Sequence, residues 1–396
     1  MKVLITDGME KEGLDVLANA GVAFENKKIP PEELIKEISG YDGLIVRSAT
    51  NVTKEVIGAG DNLKIIGRAG VGVDNIDVSA ATEKGVVVKF APYGNTNATA
   101  ELALGLMLAV SRNIPQASGS LKAGTWVKKQ YAGAELTNKT LGIIGCGRVG
   151  QRLAELVMGF NMQVLGYDPY CKSTESRIKH VDKLEELLRK SDYISLHLSG
   201  QEKPIITSKE ILQMKKTAYL VNASRGSNID EKALYDALTL KIHAIAGAAL
   251  DVYEEEGKEG KPYINKLFEL PNFIGTPHLG ASTDEAQRKT SIEMAEVVAN
   301  FLLRGDWNSS VNFKEEVELK EAKTYLLHVL HQDKKGMFAQ IDSVLADNGV
   351  NIKEIKKRLD EKNKDNALAI YIVHQEVDAE TISRIKAIEG VYRAWK

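Results

Sequence analysis

Glycines and a small set of charged residues in this chain stand at spacings that could do chemistry. Gly145, Gly147 and Gly150 fall at GxGxxG spacing in LGIIGCGRVGQRLAEL, directly after an apolar run and at the head of an amphipathic one. With 33 glycines in the chain the spacing alone is weak, but the context gives each glycine a task. Gly145 allows a tight turn, Gly147 lets backbone N–H groups approach a pyrophosphate, and Gly150 lets helix pack closely on strand. Arg148 and Val149 open the helix, whose positive end suits phosphate. A second strand, MQVLGYD, ends in Asp168, 18 residues beyond Gly150 and followed by Pro169. A carboxylate there accepts hydrogen bonds from an adenosine ribose 2′-hydroxyl and repels a 2′-phosphate, so the expected cofactor is NAD rather than NADP. Cys146, inside the turn, reads as a small residue filling a gap.

Three segments downstream carry side chains suited to hydride transfer from a 2-hydroxy acid. They are VNASRGSNID with Arg225, ALDVYEEEGKEG with Asp251 and Glu254 to Glu256, and IGTPHLGASTDEA with His278. That reaction needs a cation to hold a carboxylate, a base for the hydroxyl proton, and a group that orients the base. Arginine offers a planar, permanently charged fork. Histidine exchanges protons near neutral pH, and a neighbouring carboxylate orients the ring and stabilises its imidazolium form. Any of the three adjacent glutamates could serve. Ala223, Ser224, Asp251 and Gly280, in the same loops, and His197 in ISLHLS are expected to line the cofactor. His180, His243, His328 and His374 form no pattern.

The elements needed to position these groups are visible as well. Short apolar runs alternate with helical patterns from Met1 to Tyr93 and again from Thr140 onward, the mark of parallel βαβ units. The second series offers six strand candidates, about what a dinucleotide-binding sheet requires. Between the two series, NATAELALGLMLAVSRNIPQASGSLKAG reads as one long helix capped at Thr96 or Asn97, and a further helix spans Thr283 to Leu303. After Gly305 the polar stretch FKEEVELKEAK reads as a linker, followed by strand, helix, strand, strand, helix, strand.

Bulk properties agree with this layout. A chain of 396 residues predicts two or three domains. With 52 basic against 54 acidic residues and a net charge of -2, nothing favours nucleic acid or an anionic membrane as partner. Cys146 and Cys171 are too few for a disulfide framework or a cysteine-based zinc site, no metal site is expected, and a reducing, cytoplasmic setting fits best. The longest apolar run, Leu102 to Val110, has about half the ~18–20 residues a membrane span needs.

Taken together, GIIGCGRVG with YDP, NASRG, GAALDVYEEE and TPHLGAST resemble the D-isomer-specific 2-hydroxyacid dehydrogenases. RSAT, GRAGVGVDNID and APYGNTNATAELALGLML resemble the subgroup acting on 3-phosphoglycerate. The resemblance covers nearly the whole chain. It implies that His278 is the acid/base, Arg225 the substrate-holding cation, and Glu256, five residues after Asp251, the partner of the histidine. In many relatives a proline follows that glutamate; here Gly257 does. The implied activity is NAD-dependent oxidation of 3-phosphoglycerate to 3-phosphohydroxypyruvate, the first step of L-serine synthesis. Alternatives are another D-2-hydroxyacid dehydrogenase, such as a glyoxylate or hydroxypyruvate reductase, and a non-catalytic NAD(H) sensor.

The resemblance also implies an α/β fold in which a doubly wound Rossmann domain (96–282) is inserted in a flavodoxin-like substrate domain (1–95 and 283–312). A linker (313–324) then leads to a ferredoxin-like module (325–396). Substrate contacts fall on Arg47, Ser48, Ala69, Gly70, Val71, Gly72 and Asn95. LKAGTWVKKQYAG resembles an arm by which two subunits embrace, with Trp126 on the partner and Lys128 or Lys129 reaching its active site, so a homodimer or larger homo-oligomer is expected. The last segment resembles an ACT domain, a module that often binds amino acids; its effector positions are His331, Asp333 and Asn351. Relatives have asparagine where Asp333 stands. An ionised carboxylate cannot donate to an effector carboxylate, which puts serine regulation in question.

Overall fold

The structure, a computed structural model, describes residues 1–170, 177–239, 245–306, 310–313, 325–359 and 365–396. Cys171, His243 and the linker from 314 to 324 lie outside the described residues. In chain order the first elements are β1 (Lys2–Ile5), α1 (Lys11–Asn19), β2 (Ala23–Asn26), α2 (Pro31–Glu37), β3 (Gly43–Val46), α3 (Lys54–Ala59), β4 (Ile65–Arg68), α4 (Val78–Lys84) and β5 (Val87–Phe90). The middle of the chain forms α5 (Thr96–Ser111), α6 (Ile114–Lys122), β6 (Thr140–Ile144), α7 (Arg148–Leu156), β7 (Gln163–Tyr167), β8 (Lys179–His180), α8 (Leu184–Lys190), β9 (Tyr193–Leu196), α9 (Ser208–Ile211), β10 (Tyr219–Asn222), α10 (Glu231–Thr239), β11 (Gly247–Leu250) and β12 (Phe273–Gly275). Then come α11 (Asp284–Arg304), β13 (Tyr325–Gln332), α12 (Met337–Asp347), β14 (Ile352–Leu359), β15 (Asn366–Val373), α13 (Ala379–Lys386) and β16 (Val391–Trp395).

The chain divides into two compact units, Met1–Gly94 with Arg288–Lys396, and Asn95–Gln287. In the first, a five-stranded parallel sheet has the order β2-β1-β3-β4-β5, the flavodoxin-like arrangement. Its strands alternate strictly. Val3, Ile5, Ile45, Ile65 and Val87 face a core shared with α1 and α11, while Leu4, Leu44, Val46, Ile66 and Val88 face a core with α2, α3 and α4. Period-two alternation with both faces apolar is what a buried parallel sheet demands.

The same unit holds the antiparallel four-stranded sheet β14-β15-β13-β16, the ferredoxin-like order for a β-α-β-β-α-β chain. One face carries α12 and α13 over Leu327, Val329, Ala369, Tyr371 and Val373. Leu330, Leu368, Ile370, Ile372 and Trp395, on the other face, join the core of the five-stranded sheet.

The second unit is a seven-stranded parallel sheet, β12-β11-β10-β9-β6-β7-β8, a Rossmann order extended by one strand. It has seven strands where the sequence suggests six. β8, only two residues long, is too short to leave a periodic signal. β2, with no fully buried residue, was equally silent.

The single long helix expected after Asn95 is two helices. α5 ends at Ser111 and Asn113 adopts a left-handed φ of 54°. Pro115, near the start of α6, lacks the N–H a continuous helix would need and disfavours helical geometry just before it. The cap of α5 is Asn95, one residue earlier than expected. The expected linker also begins too early: Phe313 is 1% exposed and sits in the core of the first unit.

Candidate active site

The glycine-rich turn joins β6 to α7. Gly145 has φ of 94°, and a Cβ there would lie 2.5 Å from the His197 carbonyl oxygen. Only glycine suits both demands. A Cβ at Gly150 would overlap the Gly145 carbonyl, so the close packing expected of that position is present. Gly147 opens onto free space and caps α7 without a side-chain bond. The turn therefore offers an uncapped helix start beside an open approach, which fits a dinucleotide pyrophosphate.

Asp168, just past β7, accepts from Cys146 N (2.9 Å) and Tyr170 N (2.9 Å), which fixes the carboxylate beside the turn. Arg148 and Pro169 are exposed and Val149 is half-buried. His197 Nε2 lies 2.8 Å from Ser195 Oγ, and burial holds its pKa down at about 4, so the ring is neutral.

His278 lies in the loop between β12 and α11, and its φ of 55° is unusual for a side chain with a Cβ. Asp251, just after β11 and wholly buried, holds that loop. It accepts from Thr276 Oγ1 (2.7 Å), Leu279 N (2.7 Å) and Gly280 N (2.9 Å), and its own carbonyl accepts from His278 N (2.9 Å). The sequence suggested Asp251 for the cofactor; here its carboxylate is spent on the loop's backbone. Burial pushes its carboxyl up, and these donors work in the opposite direction.

His278 Nδ1 lies 2.8 Å from Glu256 Oε2. Facing an ionised carboxylate, Nδ1 carries the ring proton and Nε2 keeps its lone pair free to accept another. Glu254 is committed elsewhere: its N donates to Glu231 Oε1 (2.6 Å), and its Oε1 accepts from Glu231 N (3.0 Å). Of the three glutamates, Glu256 is the one brought to the histidine.

Arg225 follows β10 in a loop made of small, buried residues. Asn222 Oδ1 accepts from Ser224 N (3.0 Å) and Ser224 Oγ (2.7 Å), and its Nδ2 donates to the Arg225 carbonyl (2.8 Å). Buried Asn228 donates to Ser224 Oγ (3.1 Å). A Cβ at Gly226 would overlap the Tyr253 carbonyl, which explains the glycine after the arginine. Ala223 and Ser224 are buried, and the half-buried Arg225 donates from Nη1 to the Ser224 carbonyl (2.7 Å). The supporting Asn222, Asn228 and Thr276 leave no sequence signal, because they act through hydrogen bonds within and between loops that only the fold brings together.

In the first unit, Arg47 follows β3. Its N donates to Asp7 Oδ2 (2.7 Å) and its Nη2 to Ser291 Oγ (2.9 Å), with Ser291 fully buried. Arg68 ends the neighbouring strand, where Val46 pairs with it, and its guanidinium covers Gly70. Arg47 and Arg68 thus stand at the ends of adjacent strands, with the Asp7 and Glu10 carboxylates acting on Arg47. Ser48 and Val71 are exposed, Ala69 and Gly70 buried, and Gly72 half-buried. Asn95 belongs to the second unit.

His331 is fully buried with Nδ1 2.8 Å from the Gln332 carbonyl. Asp333 Oδ1 accepts from Lys357 Nζ at 2.6 Å, and Asn351 is exposed. Among the described residues no hydrogen bond links the three. Trp126 is 82% exposed, and Lys128 and Lys129 are exposed beside it. No helix among the described residues is long and apolar enough to cross a membrane.

Residues 104–280 match the family model for the NAD-binding domain of D-isomer-specific 2-hydroxyacid dehydrogenases. A hydroxypyruvate reductase of Thermotoga maritima is 44% identical over 301 residues, covering 75% of this chain and 97% of that protein. The chain belongs to the D-isomer-specific 2-hydroxyacid dehydrogenase family.

Among other members of the family, a D-3-phosphoglycerate dehydrogenase of Methanocaldococcus jannaschii is 45% identical over 336 residues, 83% of this chain. The chain spans 63% of that relative's length and 57% of another, from Archaeoglobus fulgidus. The NAD+-bound 3-phosphoglycerate dehydrogenase of Entamoeba histolytica superposes with a TM-score of 0.66 at 30% identity, covering 80% of this chain and 99% of that one. As in the family, the glycine-rich domain takes NAD.

Proposed function

We propose that the protein is an NAD-dependent D-3-phosphoglycerate dehydrogenase, oxidising 3-phosphoglycerate to 3-phosphohydroxypyruvate at the start of L-serine synthesis. The observation that carries the reading is the His278–Glu256 pair at 2.8 Å, held on a loop that Asp251 fixes from below. A sensor of NAD(H) has no use for a built proton-transfer pair.

Gly145, Gly147, Arg148, Val149 and Asp168 would hold NAD, which would supply the acceptor for the C2 hydride. Arg225 holds the substrate carboxylate with its permanently charged fork. His278 Nε2 takes the C2 hydroxyl proton, and the Glu256 carboxylate stabilises the imidazolium that results. Within the first unit, the arginines Arg47 and Arg68 on neighbouring strands support a phosphorylated substrate, since an unphosphorylated hydroxy acid does not need that charge. The names of the relatives from Methanocaldococcus and Archaeoglobus support this substrate. The Thermotoga hydroxypyruvate reductase, matched over 97% of its length, favours a second reading, reduction of hydroxypyruvate or glyoxylate.

The exposed Trp126 with Lys128 and Lys129 supports a homodimer arm, and the ferredoxin-like strand order of residues 325–396 supports an ACT domain. With Asp333 paired to Lys357, an effector carboxylate meets an occupied acid there. The buried Cys146 thiol suits a reducing, cytoplasmic setting.

The test is purified protein with NAD and 3-phosphoglycerate, D-lactate or 2-hydroxyglutarate, with the keto product trapped, repeated with L-serine. NADH is expected from 3-phosphoglycerate above all. Turnover of an unphosphorylated acid alone would falsify the substrate assignment.

A further inference from the structure

The Glu256 side chain needs a fixed backbone to reach His278, yet it sits in EEEGKEGKP, a stretch of exposed, charged and glycine residues. Such a segment has little packing of its own to hold one geometry. Its order comes from a residue seven positions on. Tyr263 Oη donates to the Glu255 carbonyl at 2.5 Å, and a Cβ on Gly257 would lie only 3.0 Å from Tyr263 Cβ and Cγ. One side chain thus grips the backbone immediately before and immediately after Glu256.

Tyr263 is itself anchored. Its ring meets Tyr253 edge-on at 5.7 Å and Phe268 at 5.6 Å, and Tyr253 meets Phe268 at 5.5 Å. Such T-shaped triads add orientation beyond simple burial. Upstream, the reciprocal bonds between Glu254 and Glu231 fix the chain's entrance, and Glu231 Oε2 also accepts from Asn265 Nδ2 (2.7 Å) just past Tyr263. Glu231 thereby ties together both ends of the loop. Burial raises the Tyr263 phenol further above its ordinary value, so it remains a donor throughout the working range.

These contacts line a cavity of about 620 Å³ bounded by Tyr253, Tyr263, Phe268, Phe273, Glu256 and His278. The aromatic side chains line the same cavity as the histidine–glutamate pair. Gly257 is what lets the Tyr263 ring close against the loop, because a larger residue there would press on it. With glycine and not proline after the glutamate, this chain stiffens the backbone there with a hydroxyl and an aromatic ring.

We infer that Tyr263 is a positioning residue for the proposed acid/base pair, acting through Glu256 and not on substrate. This rests on the reading of His278 and Glu256 given above. The test is a double-mutant cycle on the full chain in steady-state oxidation with NAD, using Tyr263→Phe, Glu256→Gln and the pair. Tyr263→Phe is expected to lower kcat about tenfold, the scale of one hydrogen bond. KM for the hydroxy acid and for NAD should stay within about twofold. In the Glu256→Gln background the same change should have no further effect, since the carboxylate it positions is gone.

A second readout needs no turnover. The His278 Nδ1 proton, seen by NMR in 15N-histidine-labelled protein, should lose its low-field position in Glu256→Gln and move partway in Tyr263→Phe. Equal losses from Tyr263→Phe in both backgrounds, an unchanged kcat, or an unmoved proton would each overturn the positioning role while leaving the pair intact. If Glu256→Gln itself neither slows turnover nor moves the proton, the acid/base reading fails first, and the role of Tyr263 fails with it. Thermal midpoints of all variants distinguish positioning from a general loss of fold.

Discussion

At the scale of single residues, the site divides into groups that do chemistry and groups that hold them. His278→Ala should reduce kcat by about 100-fold or more, the usual value of a positioned acid/base. Glu256→Gln should cost less, because an amide still bonds to the ring but cannot stabilise its cation; steady-state rates under saturating NAD check both. The chemistry-bearing residues were legible in the sequence, since Arg225, His278 and the glutamate run stand in distinctive loops. Their supports were not. Asp251, Asn222, Glu231 and Tyr263 act on backbone atoms that lie 2 to 29 residues away along the chain, as in Asn222 to Ser224 or Asp251 to Gly280, and local pattern carries no trace of such bonds. Two histidines outside the pair carry a pH effect. Burial holds His197 at about 4 and His328 at about 3, against about 6.5 for an unfolded chain. As pH falls below about 6.5 the unfolded chain binds protons that the folded one refuses, so stability declines toward pH 4, by up to about 1.4 kcal/mol per pH unit for each ring. His328→Phe, which keeps the stack on Trp395, should flatten that decline; urea midpoints at pH 7 and 5 measure it.

At the scale of elements, the alternation of strands and helices was legible in the apolar pattern and the strand order came with the family resemblance, while short or interrupted elements escaped. The break between α5 and α6 was written in Asn113 and Pro115, but an apolar run through Val110 masked it. The turn from β6 to α7 is the element on which cofactor binding depends most directly. Gly145→Ala must place a Cβ at φ of 94° and against the His197 carbonyl, a strain of about 1–3 kcal/mol before any lost contact. NADH fluorescence titration should show affinity weakened at least about tenfold. His278, whose φ is also positive, tolerates that conformation because Asp251 bonds to the loop on both sides of it.

At the scale of the whole molecule, the first unit joins two sheets through one core. Trp395 stacks on His328 and packs beside Gly85, while Arg393 donates to the carbonyls of Lys84 (3.1 Å) and Asp61 (3.2 Å). Trp395→Ala should therefore cost about 3–5 kcal/mol, typical of a large core truncation. Amide exchange should accelerate in both sheets of that unit and not in the last module alone. The sequence placed a linker at the start of this junction, because the charge of FKEEVELKEAK hid how the residues just before it are bound. Val311 N donates to the Val88 carbonyl (2.8 Å), Asn312 Oδ1 accepts from Val88 N (3.0 Å), and Ser310 pairs with Lys89. β5 is the last strand of its sheet, so these residues occupy the row of backbone donors and acceptors that would otherwise stand open. An open row of this kind recruits strands from other molecules. The return of the chain to β5 is thus a guard against aggregation as much as a connection: a full-length chain carrying Val311→Pro and Asn312→Ala, which loses both bonds to Val88, should self-associate in light scattering at concentrations where the unaltered chain does not.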